Sequence, residues 1–147
     1  MKYSQAKQGR TFILRLEDGE IIHETVEKFA RDKQIKAASL TILGGADKGS
    51  ELVVGPEDGR AEEIKPMEYV LDGVHEIAGV GTLFPDEDGE PVLHMHITGG
   101  RKDSAITGCI RRGVKTWLVT EIIIHEIIAR DACRKFDPES GFTLLEP

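Results

Sequence analysis

The sequence predicts an α+β fold: a mostly antiparallel β-sheet with one principal helix packed on it. Three observations carry this. Roughly seven stretches alternate or are rich in β-branched residues, against one or two with helical period. Most of these stretches are joined by short turns rich in Gly, Asp and Pro, which suits antiparallel neighbours. The length, 147 residues, is that of one domain with room for a hydrophobic core.

Thr11 to Leu16 alternates like a strand and runs into an acidic turn, Glu17 to Glu20. Ile22, Val26, Phe29 and Ala30 then fall on one face of a helix placed at about 20–34, with Glu24, Glu27, Lys28, Arg31 and Asp32 elsewhere around it. Ala37 to Leu43 reads as a strand ending at a tight turn, Gly44-Gly45, and Glu51 to Val54 as a short one. Gly55 to Pro66 is charged and turn-rich, so it is expected to be an exposed loop. Met67 to Leu71 and Val74 to Phe84 alternate as strands, with Asp72-Gly73 between them as a hairpin signal. A second acidic turn, Pro85 to Pro91, precedes the strand Val92 to Thr98. Gly99 to Ala105 is expected to be a flexible connection, Thr116 to Ala129 a long strand rich in β-branched residues, and the tail from Asp131 irregular.

Composition excludes several classes of function. Lys and Arg number 19 against 26 Asp and Glu, a net charge of −7, which argues against a generally basic nucleic-acid-coating surface or an acidic-membrane binder. With 39% hydrophobic and 31% charged residues the chain is an ordinary globule rather than a disordered one. The apolar runs, such as Ile122 to Ile124, are far shorter than the roughly 20 residues that span a bilayer. Met1 to Lys7 has no apolar segment of the signal-peptide kind, so the cytoplasm is the expected location and no membrane partner is expected. Cys109 and Cys133 are accordingly read as thiols, with Cys133 a bystander.

The strongest chemical signal is His94-Met95-His96. On a strand the two histidines share a face about 6.6 Å apart, two residues at about 3.3 Å each, so both imidazoles can reach one metal ion. Two histidines on a solvent face also arise by chance. Downstream, the flexible connection lets Cys109 return beside the histidine strand, and two imidazoles with a thiolate suit zinc while leaving a fourth position open. The other reading of Cys109 is a small buried hydrophobe beside Ile110.

Three segments now combine: Leu14-Arg15-Leu16-x-x-Gly19-Glu20 before a helix, Glu76 to Leu83, and Pro91-x-Leu93-His94-Met95-His96 followed by a glycine-bearing turn. In that order they resemble the plants-and-prokaryotes-conserved (PPC) domain family, over a core of about residues 8–130 of one domain spanning 1–147, with residues 131–147 as tail. The resemblance implies a mixed α/β fold assembled as a homotrimer. Plant members carry AT-hooks and are nuclear; prokaryotic members are stand-alone domains, often labelled predicted DNA-binding proteins, and some look like metal proteins with a His-x-His pair and a third histidine in a Gly-Gly-His element. Carried over, the pair is His94 and His96, and the third position falls at Cys109, where Thr107-Gly108-Cys109 departs from that pattern. No AT-hook core of the Arg-Gly-Arg-Pro type is present.

Between Arg101 and Lys115 five cations, Arg101, Lys102, Arg111, Arg112 and Lys115, face Asp103 alone, a local +4 that leaves −11 on the rest of the chain. Such an island can hold a small anionic ligand or DNA beside the metal, or be merely a solvated loop. Glu76 matches a family position and is a candidate general base or a partner that orients a ligating histidine; it can equally cap a turn. His125 reads as a sheet or interface residue and His23 as a surface one, and no G-x-S-x-G, H-E-x-x-H or C-x-x-C motif occurs. Three functions follow as expectations: a zinc (or other divalent metal) homotrimer acting on a small anion, a DNA-associated regulator, or a partner-binding module with a structural metal.

Overall fold

The computed structural model describes residues 1–147. In chain order the elements are β1 (Lys7–Glu17), α1 (Ile22–Lys33), β2 (Ala38–Ala46), β3 (Glu51–Pro56), β4 (Pro66–Val70), β5 (His75–Pro85), β6 (Pro91–Arg101), β7 (Ser104–Cys109), β8 (Thr116–Ile128), β9 (Cys133–Asp137) and β10 (Phe142–Glu146). Strands β1 to β8 form one sheet in the order β1-β8-β2-β5-β6-β7-β3-β4, and every pairing in it is antiparallel. The predicted fold class is therefore the observed one. No helix is long and apolar enough to cross a membrane.

Period-2 alternation sends one set of side chains inward. Leu14 and Leu16 of β1, Leu40 and Ile42 of β2, Leu93, Met95 and Ile97 of β6, and Ile122 and Ile124 of β8 meet Ile22, Val26 and Ala30 of α1 in the core. The helix is pinned over β6 because the Leu93 amide donates to Glu27 Oε1 at 2.9 Å, while Phe29 meets Phe12 edge to face at 5.4 Å. It ends at Gln34, whose left-handed backbone (φ 55) lets its N–H reach the Ala30 and Arg31 carbonyls. The opposite face of the sheet is not covered by a helix.

Four local expectations are corrected. Asp72-Gly73 does not close a hairpin, because β4 pairs with β3 at the sheet edge while β5 lies between β2 and β6. Buried Leu71 is tied by its backbone to Ser50 and Gly49, so the chain crosses from edge to centre at this point. Gly44-Gly45 lies inside β2, where the register with β8 shifts and a Cβ on Gly44 would stand 2.5 Å from the Val119 carbonyl oxygen. Gly99 and Gly100 are strand residues rather than a flexible link, and β6 turns tightly into β7 at Lys102 (φ 53) and Asp103. The tail is not irregular: β9 and β10 form a hairpin whose turn is fixed by Asp137, which accepts from the Ser140 amide and hydroxyl.

Candidate metal centre

The alternation that buries Leu93, Met95 and Ile97 places His94 and His96 together on the face not covered by the helix. Their Nε2 atoms stand 3.2 Å apart, with ring centroids 5.0 Å apart. The tight β6-β7 turn fixes the register so that Cys109 lies directly opposite His96. The two imidazoles and the thiol come to within 4.8 Å of one another, all three donors converging on one point. Nitrogens on a tetrahedral zinc, each about 2.05 Å from the metal, are roughly 3.3 Å apart, so the His94 to His96 spacing fits, and a thiolate completes a three-ligand set that leaves one position open.

The surroundings are cationic. Burial, followed by the charges of Arg111 and Arg134 and then by His96, holds the His94 imidazole down to about 4, so it is neutral and free to ligate at neutral pH. Arg111 lies two residues beyond Cys109, the last residue of β7. Arg134 arrives from β9, which crosses β5: its Nη2 donates to Thr82 O at 3.3 Å and to Thr82 Oγ1 at 3.0 Å, and its guanidinium stands 6.0 Å from the Phe84 ring. Thr82 is the register partner of His94, which puts Arg134 over the same sheet face as the two histidines. The Arg134 guanidinium is pushed below its ordinary value chiefly by burial and next by Arg111, with Cys109 opposing.

The sequence profile of the Plants and Prokaryotes Conserved (PCC) domain matches residues 3–128. The chain belongs to this family. Among solved structures, a PPC protein from Pyrococcus horikoshii superposes with TM-score 0.85 at 22% identity, covering 100% of this chain and 98% of its own. A metal-containing protein from Archaeoglobus fulgidus superposes with TM-score 0.83 at 24% identity, covering 99% of each chain. A "putative DNA binding protein" from Bacteroides thetaiotaomicron gives TM-score 0.75 at 19% identity, covering 97% of each. At these identities the likeness establishes the fold. No curated protein sequence matches the chain.

Within this PPC fold the other singled-out residues scatter. Glu76 pairs with Gly100, four strand positions from His96, which is roughly 13 Å along the sheet, so it does not touch the histidine pair. Lys102 sits at the β6-β7 turn, and Arg101 beside it donates to Val74 O at 2.9 Å and lies 3.9 Å from Asp72. Arg112 is paired with Glu68 at 2.7 Å and Lys115 lies 3.9 Å from Asp47. The basic island is thus divided, and Arg111 alone of the five acts on His94. His75 is buried with Nδ1 2.8 Å from Gly73 O, and His125 lies 3.3 Å from Thr11 Oγ1. Arg134 was not among the candidates: it sits in a charged tail expected to be irregular, and its one sequence signal is an alternation of Cys133, Arg134, Lys135 and Phe136 too short to read as a strand.

Proposed function

We propose that this protein binds a divalent metal, zinc, through His94, His96 and Cys109, and assembles as a homotrimer. The observation that carries the metal reading is the convergence of the three donor atoms within 4.8 Å on one sheet face. Both imidazole nitrogens are supplied by a rigid central strand, and the soft thiolate favours zinc over magnesium or calcium. The metal-containing Archaeoglobus relative supports the same reading. When bound, zinc with three protein ligands supplies a Lewis-acidic position for water or a ligand.

Self-association is supported by the uncovered face, and the three-fold number by the family resemblance. Ile13 is 82% exposed, Val80 66% and Leu43 57%, and on a free monomer these apolar side chains would stand in water. Light scattering should give a mass near three times 16.2 kDa. Atomic absorption on untagged protein purified without chelator should give one zinc per chain, and the cobalt form should show a thiolate charge-transfer band that Cys109→Ser removes. Absence of metal, with none taken up on adding zinc, overturns the metal reading.

A DNA-associated role is the second reading, favoured by the name of the Bacteroides relative. Pairing of Arg101, Arg112 and Lys115 with carboxylates weakens it, as does the net charge of −7. Gel-shift titrations at low and moderate salt decide it, because phosphate contacts must weaken steeply as salt rises.

A further inference from the structure

Two charges in this protein are deeply buried, and only one has a counterion. Glu126 accepts from Arg10 Nε, Nη2 and backbone N. Arg134 is 3% exposed, meets no carboxylate, and has only the neutral oxygens of Thr82 as hydrogen-bond partners and the Phe84 ring at 6.0 Å beside it. Its Nε is buried without any hydrogen-bond partner, and its Nη1 makes no hydrogen bond either. A buried guanidinium with unused donors is costly unless something completes it, and natural folds satisfy nearly all such groups. Arg111 is carried alongside His94, because Cys109 pairs with His96 and the Ile110 amide donates to the Met95 carbonyl at 3.2 Å. The neighbouring cations are paired, Arg112 with Glu68 and Lys115 with Asp47, but Arg111 forms no ion pair.

We propose that Arg134 and Arg111 form the anion-recognising half of the site, taking a small oxyanion, a carboxylate or a phosphate group, beside His94, His96 and Cys109. The metal half of this picture rests on the zinc reading above; the arginine half does not. Charge points the same way. Two arginines and a divalent ion against one thiolate leave a local excess of three positive charges, which an anionic ligand offsets. Guanidinium forks are suited to such groups because two parallel N–H donors match two oxygens. The ligand must be small, because a guanidinium 3% exposed under a β-hairpin is out of reach of a duplex backbone. The C-terminal hairpin thereby gains a role: it carries the arginine that selects what may approach the metal position.

The test titrates inorganic phosphate, and separately acetate, into zinc-loaded and metal-free protein by calorimetry at low ionic strength. Zinc content is measured in the same samples. Wild type should bind one or both anions, Arg134→Met and Arg111→Met should weaken that binding by about tenfold or more, and zinc content should not change. Arg112→Met, which removes a cation already paired with Glu68, should bind as wild type does. Should Arg134→Met fail to fold, Arg134→Lys keeps the charge and stem while losing the fork, and should weaken binding in the same direction. Binding by Arg134→Met equal to wild type, or no anion binding by zinc-loaded wild type, overturns the proposal. If zinc does not bind, the metal reading falls, and the titration of metal-free protein still decides the arginine pair.

Discussion

The two faces of the sheet each bury one charge, and they treat it differently. On the helix side, Glu126 sits at the end of β8, 8% exposed, clasped by an Arg10 that is itself 52% exposed, so the chain supplies its own counterion. On the other side, Arg134 is buried over Thr82 with a donor left unused. The helix side is closed chemically and sterically, with twenty buried residues packed into one core cluster. The other side is left open chemically, since Arg134 lies buried in the C-terminal hairpin with donors that nothing completes. Strand β6 joins the two: Leu93, Met95 and Ile97 hold the fold together from one side while His94 and His96 present their imidazoles on the other. Stability and chemistry therefore separate by residue parity within a single strand.

Substitutions that differ by one residue in sequence should accordingly differ in kind. The largest effect on unfolding free energy is expected from Met95→Ala. Met95 is fully buried, and its truncation should cost about 2–5 kcal/mol by lost transfer energy and the cavity left behind. Urea denaturation of metal-free protein measures it, and a loss under about 1 kcal/mol would show that the core face does not dominate. Next in size is Glu126→Gln, expected to cost about 1–2 kcal/mol at pH 7, a charge-assisted pair discounted for the exposure of Arg10. Hydrogen bonds from Arg10 hold the Glu126 carboxyl down to about 2 in the folded protein. A depressed carboxylate stabilises the fold above its unfolded value and loses that contribution as the folded form is protonated. The gap between wild type and Glu126→Gln should thus be full above pH 4.5 and shrink toward pH 2, measured by denaturation across that range. Arg134→Met should behave in the opposite manner. Removing an uncompensated buried charge relieves its desolvation while losing two hydrogen bonds to Thr82, so the metal-free protein should change by less than about 1 kcal/mol. A loss comparable to that of Glu126→Gln would mean that Arg134 is structural.

How much of this was legible in the sequence depends on how local the determinant is. The helix, the β1 and β8 strands and the His94/His96 face follow from side-chain periodicity, which is local, and they appear with small boundary shifts. Asp72-Gly73 misled because its turn chemistry says only that the chain bends. Which strand β5 then pairs with is decided by nonlocal partners in β2 and β6. Cys109 could be suspected but not placed, since its position opposite His96 depends on the register that the Lys102 turn imposes. The basic island is divided for the same reason: neighbours in sequence need not share a surface, and Glu68, Asp72 and Asp47, distant in sequence, draw Arg112, Arg101 and Lys115 to separate places. Arg134 was invisible because a five-residue strand in a polar tail carries too little periodicity to announce which side chain will be buried.

The smallest change is expected from His96→Ala, and its smallness is informative. His96 is exposed and contributes nothing to the core, so in metal-free protein its removal should alter the unfolding free energy by less than about 0.5 kcal/mol. Adding zinc at a hundred times its dissociation constant should stabilise wild type by about 2.7 kcal/mol through linkage, because the folded chain gathers the three ligands and the unfolded chain does not. The variant, left with His94 and Cys109, should gain little of this. Thermal melts of both proteins with and without zinc therefore read the outer face in isolation: one substitution is silent without the ion and costly with it, whereas Met95→Ala is costly in both. If His96→Ala were equally destabilising with and without zinc, the division of β6 into a folding side and a binding side would be wrong.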